Sequence, residues 1–174
     1  MKINPLLLVT ILTLATAIHA AEDNVHFSGS LITEPCTLAE ADKDIHLDFG
    51  SVIEKSLYQY QRTKSQSFSL HLIECDPTVL STVSVTFQGT ADTELTSMLA
   101  PDPSSTAKGV AIGFELADGT PLAINHPSPY SQLTNGSNTL TFQAFVQAQP
   151  IVIANKSITA GDFSAISTFI LAYQ

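Results

Sequence analysis

Gly161-Asp-Phe-Ser-Ala-Ile-Ser-Thr-Phe-Ile-Leu-Ala-Tyr173-Gln174 closes the chain. Its apolar residues recur every second position, which predicts a β-strand with Ala165, Ser167, Phe169, Leu171 and Tyr173 on one face. A strand that runs to the last residue has no following strand to cover its far edge. An apolar edge of that kind is a template for pairing, so a protein must blunt it or use it. Near the other end, Val25-His-Phe27-Ser-Gly29-Ser-Leu31 has the matching alternation. One end reads as an unfilled edge and the other as a loose strand, a combination that predicts head-to-tail polymerisation by strand exchange.

The first twenty residues have the pattern of an export signal. Lys2 is the positive start, Leu6 to Ile18 the apolar stretch, and Ala17-Ile-His-Ala20-Ala21 the small-residue cleavage region. The apolar stretch is shorter than the roughly 20 residues of a membrane span. Cleavage is expected after Ala20, with Ala21 as the alternative, and no other segment is expected to cross a bilayer. The formal net charge of the whole chain is −9, and loss of Lys2 makes it more acidic. Nucleic acid and anionic membrane surfaces need clustered Lys and Arg, so neither is expected as a partner.

Cys36 and Cys75 are the two cysteines. In an exported chain their simplest use is one disulfide, worth about 3–4 kcal/mol for a loop of about 40 residues. A metal or redox pair is the alternative, but there is no C-x-x-C and no histidine cluster. Alternation recurs at Ile45–Phe49, Phe68–Leu72, Val83–Phe87, Val110–Leu116 and Leu140–Val146. Turn-forming clusters separate these runs, among them Pro101-Asp-Pro-Ser-Ser, His126-Pro-Ser-Pro and Asn135-Gly-Ser-Asn. The one plausible helical turn spans Thr93 to Leu99. The fold class expected is all-β, an immunoglobulin-like sandwich with one disulfide.

Strand count sharpens this expectation. Six runs lie between Ile45 and Tyr173, against about seven strands for such a sandwich. The Val25–Leu31 segment is either this domain's own first strand or one given to a neighbour. Donation leaves the parent sandwich incomplete, with a groove beside the C-terminal strand. It would insert Val25, Phe27 and Leu31, each worth roughly 1.5–3 kcal/mol, while Gly29 permits close approach of another backbone.

The order and spacing of several fragments then identify a resemblance covering essentially the whole chain after the leader. They include Val25-His-Phe-Ser-Gly-Ser-Leu-Ile-Thr-Glu-Pro-Cys36, Leu47-Asp-Phe-Gly50 and Phe68-Ser-Leu-His-Leu-Ile-Glu-Cys75-Asp. Val85-Thr-Phe-Gln-Gly-Thr-Ala-Asp92, Gly109-Val-Ala-Ile-Gly and Thr139-Leu-Thr-Phe-Gln-Ala144 follow. The ending adds Gly161, fourteen residues from the end, and the penultimate Tyr173. The chain resembles subunits of the chaperone–usher pilus pathway, the type 1 fimbrial pilins. That resemblance implies a sandwich lacking its last strand and completed by a donated one. The implied divisions are 1–20 leader, 21–33 donor extension and 34–174 pilin domain.

It also implies partners: a periplasmic chaperone that lends a strand and binds the carboxylate of Gln174, an outer-membrane usher, and neighbouring subunits of a surface fimbria. Val25, Phe27, Gly29 and Leu31 match donor positions. Gly161, Ala165, Phe169, Leu171 and Tyr173 match the acceptor edge. Asp23 departs from the pattern at the outermost donor position, and the short arm resembles that of minor adaptor subunits.

No cofactor, metal or catalytic activity is expected. His26, His46, His71 and His126 are scattered without ligand spacing, and no nucleophile motif occurs. The expected function is a structural pilus subunit contributing to cell adhesion. A receptor-binding adhesin, a pilus-terminating subunit and a secreted β-sandwich binding domain are the alternatives.

Overall fold

Apolar runs of period two become sheet wherever two of them can exchange main-chain bonds. The computed structural model describes Leu31 and residues 33–174. The leader and the donor positions Val25, Phe27 and Gly29 lie outside the described residues. Two antiparallel sheets face each other. The larger has β1 (Thr37–Leu38), β2 (Gln66–Cys75), β7 (Gly136–Ala148), β4 (Val110–Leu116) and β5 (Pro121–Leu122), in that spatial order. The smaller has β6 (Ser131–Gln132), β3 (Thr82–Gln88) and β8 (Thr168–Tyr173).

Register puts the apolar face of every long strand inward. Phe68 lies opposite Phe142 and Leu70 opposite Leu140, while Val85 pairs Leu171 and Phe87 pairs Phe169. The core between the sheets contains Leu70, Val85, Phe87, Leu99, Ile112, Phe114 and Phe142. Four of its rings interlock: Phe87 stacks on Phe114 at 4.7 Å and meets Phe142 edge-on at 5.1 Å, and Phe68 meets Phe87 at 5.7 Å. Cys36 and Cys75 form the expected disulfide and are buried beside Leu72 and Val83.

Three features differ from the sequence reading. Thr93–Leu99 is a series of bends and turns rather than a helical turn. Asp92 organises it, its carboxylate accepting from the N–H groups of Glu94 and Leu95. The helices lie elsewhere, at α1 (Glu54–Tyr60) and α2 (Pro150–Asn155), both too short to show a helical period. Each stops at a left-handed residue, Gln61 and Lys156. Finally, Ile45–Phe49 keeps its alternation, with Ile45, Leu47 and Phe49 half-buried and the residues between exposed, yet joins no ladder. Among the described residues it has no partner strand.

A candidate strand-acceptor groove

An unpaired segment on one side and an open strand edge on the other leave a gap between them. A cavity of about 850 Å³ lies there, walled by Lys43–Val52 and by Gly161–Ser167 with Phe169. Phe68, Phe87, Leu99, Ile112, Phe114 and Ala144 form its apolar floor. The walls run in opposite directions. Leu38 and Tyr173 share one cluster at one end, whereas Phe49 and Phe163 meet at 6.3 Å at the other. A strand lying between them is therefore parallel to one wall and antiparallel to the other.

Hydrogen-bond parity shows which main-chain groups face the gap. Thr82 N–H donates to the Gln174 carbonyl at 2.8 Å, and Gln174 N–H donates to the Thr82 carbonyl at 3.0 Å. Bonded and non-bonded pairs alternate in an antiparallel ladder. Ser84–Ala172, Thr86–Ile170 and Gln88–Thr168 are then the bonded pairs, and the main-chain groups of Phe169, Leu171 and Tyr173 point away from β3.

Upstream the same parity continues against a loop. The Asp162 carbonyl accepts from Thr106 N–H (2.9 Å) and Ala107 N–H (3.0 Å), and that of Ser164 from Asp102 N–H (2.8 Å). The main-chain groups of Phe163, Ala165 and Ser167 have no main-chain partner among the described residues. From 163 to 173 every second residue thus turns its N–H and C=O away from β3 and the loop, with no main-chain partner among the described residues, over roughly 33 Å of extended chain. Of these, Phe163 to Phe169 line the groove. The side chains at those positions are all half-buried, while their neighbours are exposed.

The sequence-predicted edge residues fall as follows. Ala165, Phe169, Leu171 and Tyr173 lie on this one edge with their side chains toward the core. Gly161 sits at its start, where an added Cβ would collide with Thr106 Oγ1 and lie 2.9 Å from Ala107 N. That close approach explains the glycine. Gln174 is exposed at the far end, its carbonyl also accepting from Ser81 N–H at 2.9 Å. Burial, and secondarily the Glu34 carboxylate, raise the Tyr173 phenol above its ordinary range. Leu31, the one donor position described, is fully exposed.

Sequence reading missed the supports of both walls. The His71 ring is half-exposed. Yet its Nδ1 lies 2.9 Å from a buried Asp42 carboxylate, which also accepts from His71 N–H. Asp42 ends the 3-10 turn that leads into the Lys43–Val52 wall. Ser105 and Thr106 lay in or beside a cluster read only as a turn. No spacing rule ties them to Gly161, because the contact joins residues some fifty positions apart. No group of three metal-ligating side chains occurs among the described residues.

The arrangement is an apolar trough with a ready main-chain ladder, suited to one extended peptide. Comparison with known proteins agrees with this geometry. The family described as "Fimbrial protein" matches residues 25–174. The "Fimbria A protein" of Serratia marcescens is 31% identical over 179 residues, covering 100% of both chains. The fimbrial-like protein YfcP of Escherichia coli strain K12 is 34% identical, covering 94% of this chain and 90% of that one. The crystal structure of the P pilus rod subunit PapA aligns with a TM-score of 0.70 at 25% identity, covering 81% of this chain and 100% of that one.

Proposed function

The chain belongs to the fimbrial protein family, and from that premise we propose how it enters a fibre. It is a structural pilus subunit that associates with other pilus subunits in a surface fimbria. Its groove accepts an extended strand from a neighbour, and its own residues 21–33 serve as the strand given to the next groove. Val25, Phe27 and Leu31 fill the trough and Gly29 makes the close backbone approach. Residues 34–174 are the accepting domain and residues 1–20 an export leader.

The observation that carries this reading is the free ladder from Phe163 to Tyr173 above an apolar floor. Each main-chain bond formed there contributes roughly 0.5–1.5 kcal/mol net, and the inserted apolar side chains add their burial. In the periplasm a chaperone supplies a temporary strand and binds the Gln174 carboxylate. An outer-membrane usher then exchanges that strand for the next subunit's arm. The chain does no catalysis in this role.

Electron microscopy and sedimentation of the purified full chain test the reading, against a variant lacking residues 24–31. Linear polymers from the intact chain and none from the deletion variant are expected. Equal polymerisation by both would refute arm exchange.

A further inference from the structure

Two hydroxyls beside the groove behave as a substitute β-strand. Ser105 Oγ accepts from Ser164 N–H at 3.1 Å and donates to the Ser164 carbonyl at 3.2 Å. Thr106 Oγ1 does the same for Asp162, accepting from its N–H at 2.8 Å and donating to its carbonyl at 3.2 Å. Each hydroxyl thus offers one residue the donor and acceptor that a neighbouring peptide group would offer. Ser164 Oγ adds a bond to the Asp102 carboxylate at 2.9 Å.

These contacts matter because pairing with β3 begins only at Thr168. Upstream of it, residues 162–167 are held by these hydroxyls together with the Asp102, Thr106 and Ala107 N–H groups and the Ser167 Oγ bond to the Gln88 carbonyl. We propose that Ser105 and Thr106 are positioning residues that set the reach of the acceptor edge, extending it from Thr168 back to Phe163. They touch no inserted strand. They act by fixing Asp162 and Ser164 outward, which turns the main-chain groups of Phe163 and Ala165 toward the groove. Gly161 belongs to the same device, since any side chain there would push Thr106 away.

The inference rests on the strand-acceptor reading above, and it makes a prediction about strand length that domain stability alone does not. Fluorescence anisotropy is measured with the full chain and labelled peptides: Asn24–Thr33, and two versions each shortened by two residues at one end. Ser105→Ala, and independently Thr106→Val, should weaken the full-length peptide by roughly fivefold, the worth of about one hydrogen bond. One shortened peptide, missing the end that reaches Phe163, should bind variant and parent equally. Thr106→Ser, which keeps the hydroxyl, should restore the affinity. Equal weakening of all three peptides, or no weakening, would overturn the inference. If the parent chain binds none of the peptides, the strand-acceptor reading itself fails and this inference with it.

Discussion

Phe87 stands between the packed core and the open groove, so its removal separates the contributions of the two. The residue is 4% exposed, yet its ring also lines the cavity. Truncating a buried phenylalanine costs about 3–5 kcal/mol, with the larger values where a sealed void is left. Here one side of the ring already faces an opening, so Phe87→Ala in the unfilled chain should lie near the lower end, about 3 kcal/mol. With an inserted strand covering the ring, the same substitution makes a closed void, and the cost should rise toward about 5 kcal/mol. Urea unfolding of the full chain, with and without saturating Asn24–Thr33 peptide, reads both values. At a slope of about 2 kcal/mol per molar the first loss moves the midpoint by roughly 1.5 M. A loss below about 1 kcal/mol, or one that shrinks when peptide is added, would refute the placement of Phe87 on the groove floor.

Other perturbations test the supporting structure. Replacing both Cys36 and Cys75 by alanine should lower unfolding stability by about 3–4 kcal/mol, measured under non-reducing conditions; an unchanged midpoint would contradict the role of the cross-link. Arg62 places its guanidinium 3.4 Å from the Phe145 ring centroid and pairs at 3.1 Å with Glu115, a residue only 5% exposed. Arg62→Met leaves that carboxylate with the Ser65 hydroxyl but no cation. It should cost about 3 kcal/mol, the low end for a broken buried pair, because Arg62 is itself partly exposed. Adding Glu115→Gln should recover part of the loss, which a double-mutant cycle would show. Tyr173 has its ionisation raised in the folded state, so the folded chain holds that proton longer than the unfolded one. Stability is then full at neutral pH and falls as alkaline pH rises from the unfolded to the folded ionisation. Tyr173→Phe should flatten that alkaline limb in thermal melts, and superimposable limbs would count against burial of the phenol.

The long strands were legible because each buries one face, which fixes an alternation that local sequence displays. Phe68–Leu72, Val83–Phe87, Val110–Leu116 and Leu140–Val146 all lie in the ladders that pattern predicts. Ile45–Phe49 shows where the inference stops. Alternation reports a buried face, whereas ladder membership needs a neighbour, and this segment has the first without the second. Helices α1 and α2 carry too few turns for a period to emerge. The one-sided burial of the last strand was visible in the spacing from Ala165 to Tyr173. The bonds that hold the two walls were not, because Ser105 and Thr106 on one side and Asp42 and His71 on the other make them between residues far apart in sequence. Asn138 is an intermediate case. The Asn-Gly signal marked a turn, and the Asn138 side chain closes it by bonding Thr134 N–H and carbonyl at 2.8 and 2.7 Å.

The central claim is that the groove is an unfilled strand site and the N-terminal segment its ligand. Thermal unfolding of the full chain, with and without a second copy of Asn24–Thr33 fused through a flexible linker after Gln174, tests it most directly. A large rise in melting temperature and unfolding enthalpy in the fusion is the predicted result, since the copy would pair along Phe163–Tyr173 and cover the apolar floor. Coincident melting curves would contradict the claim and leave a sandwich that is already complete.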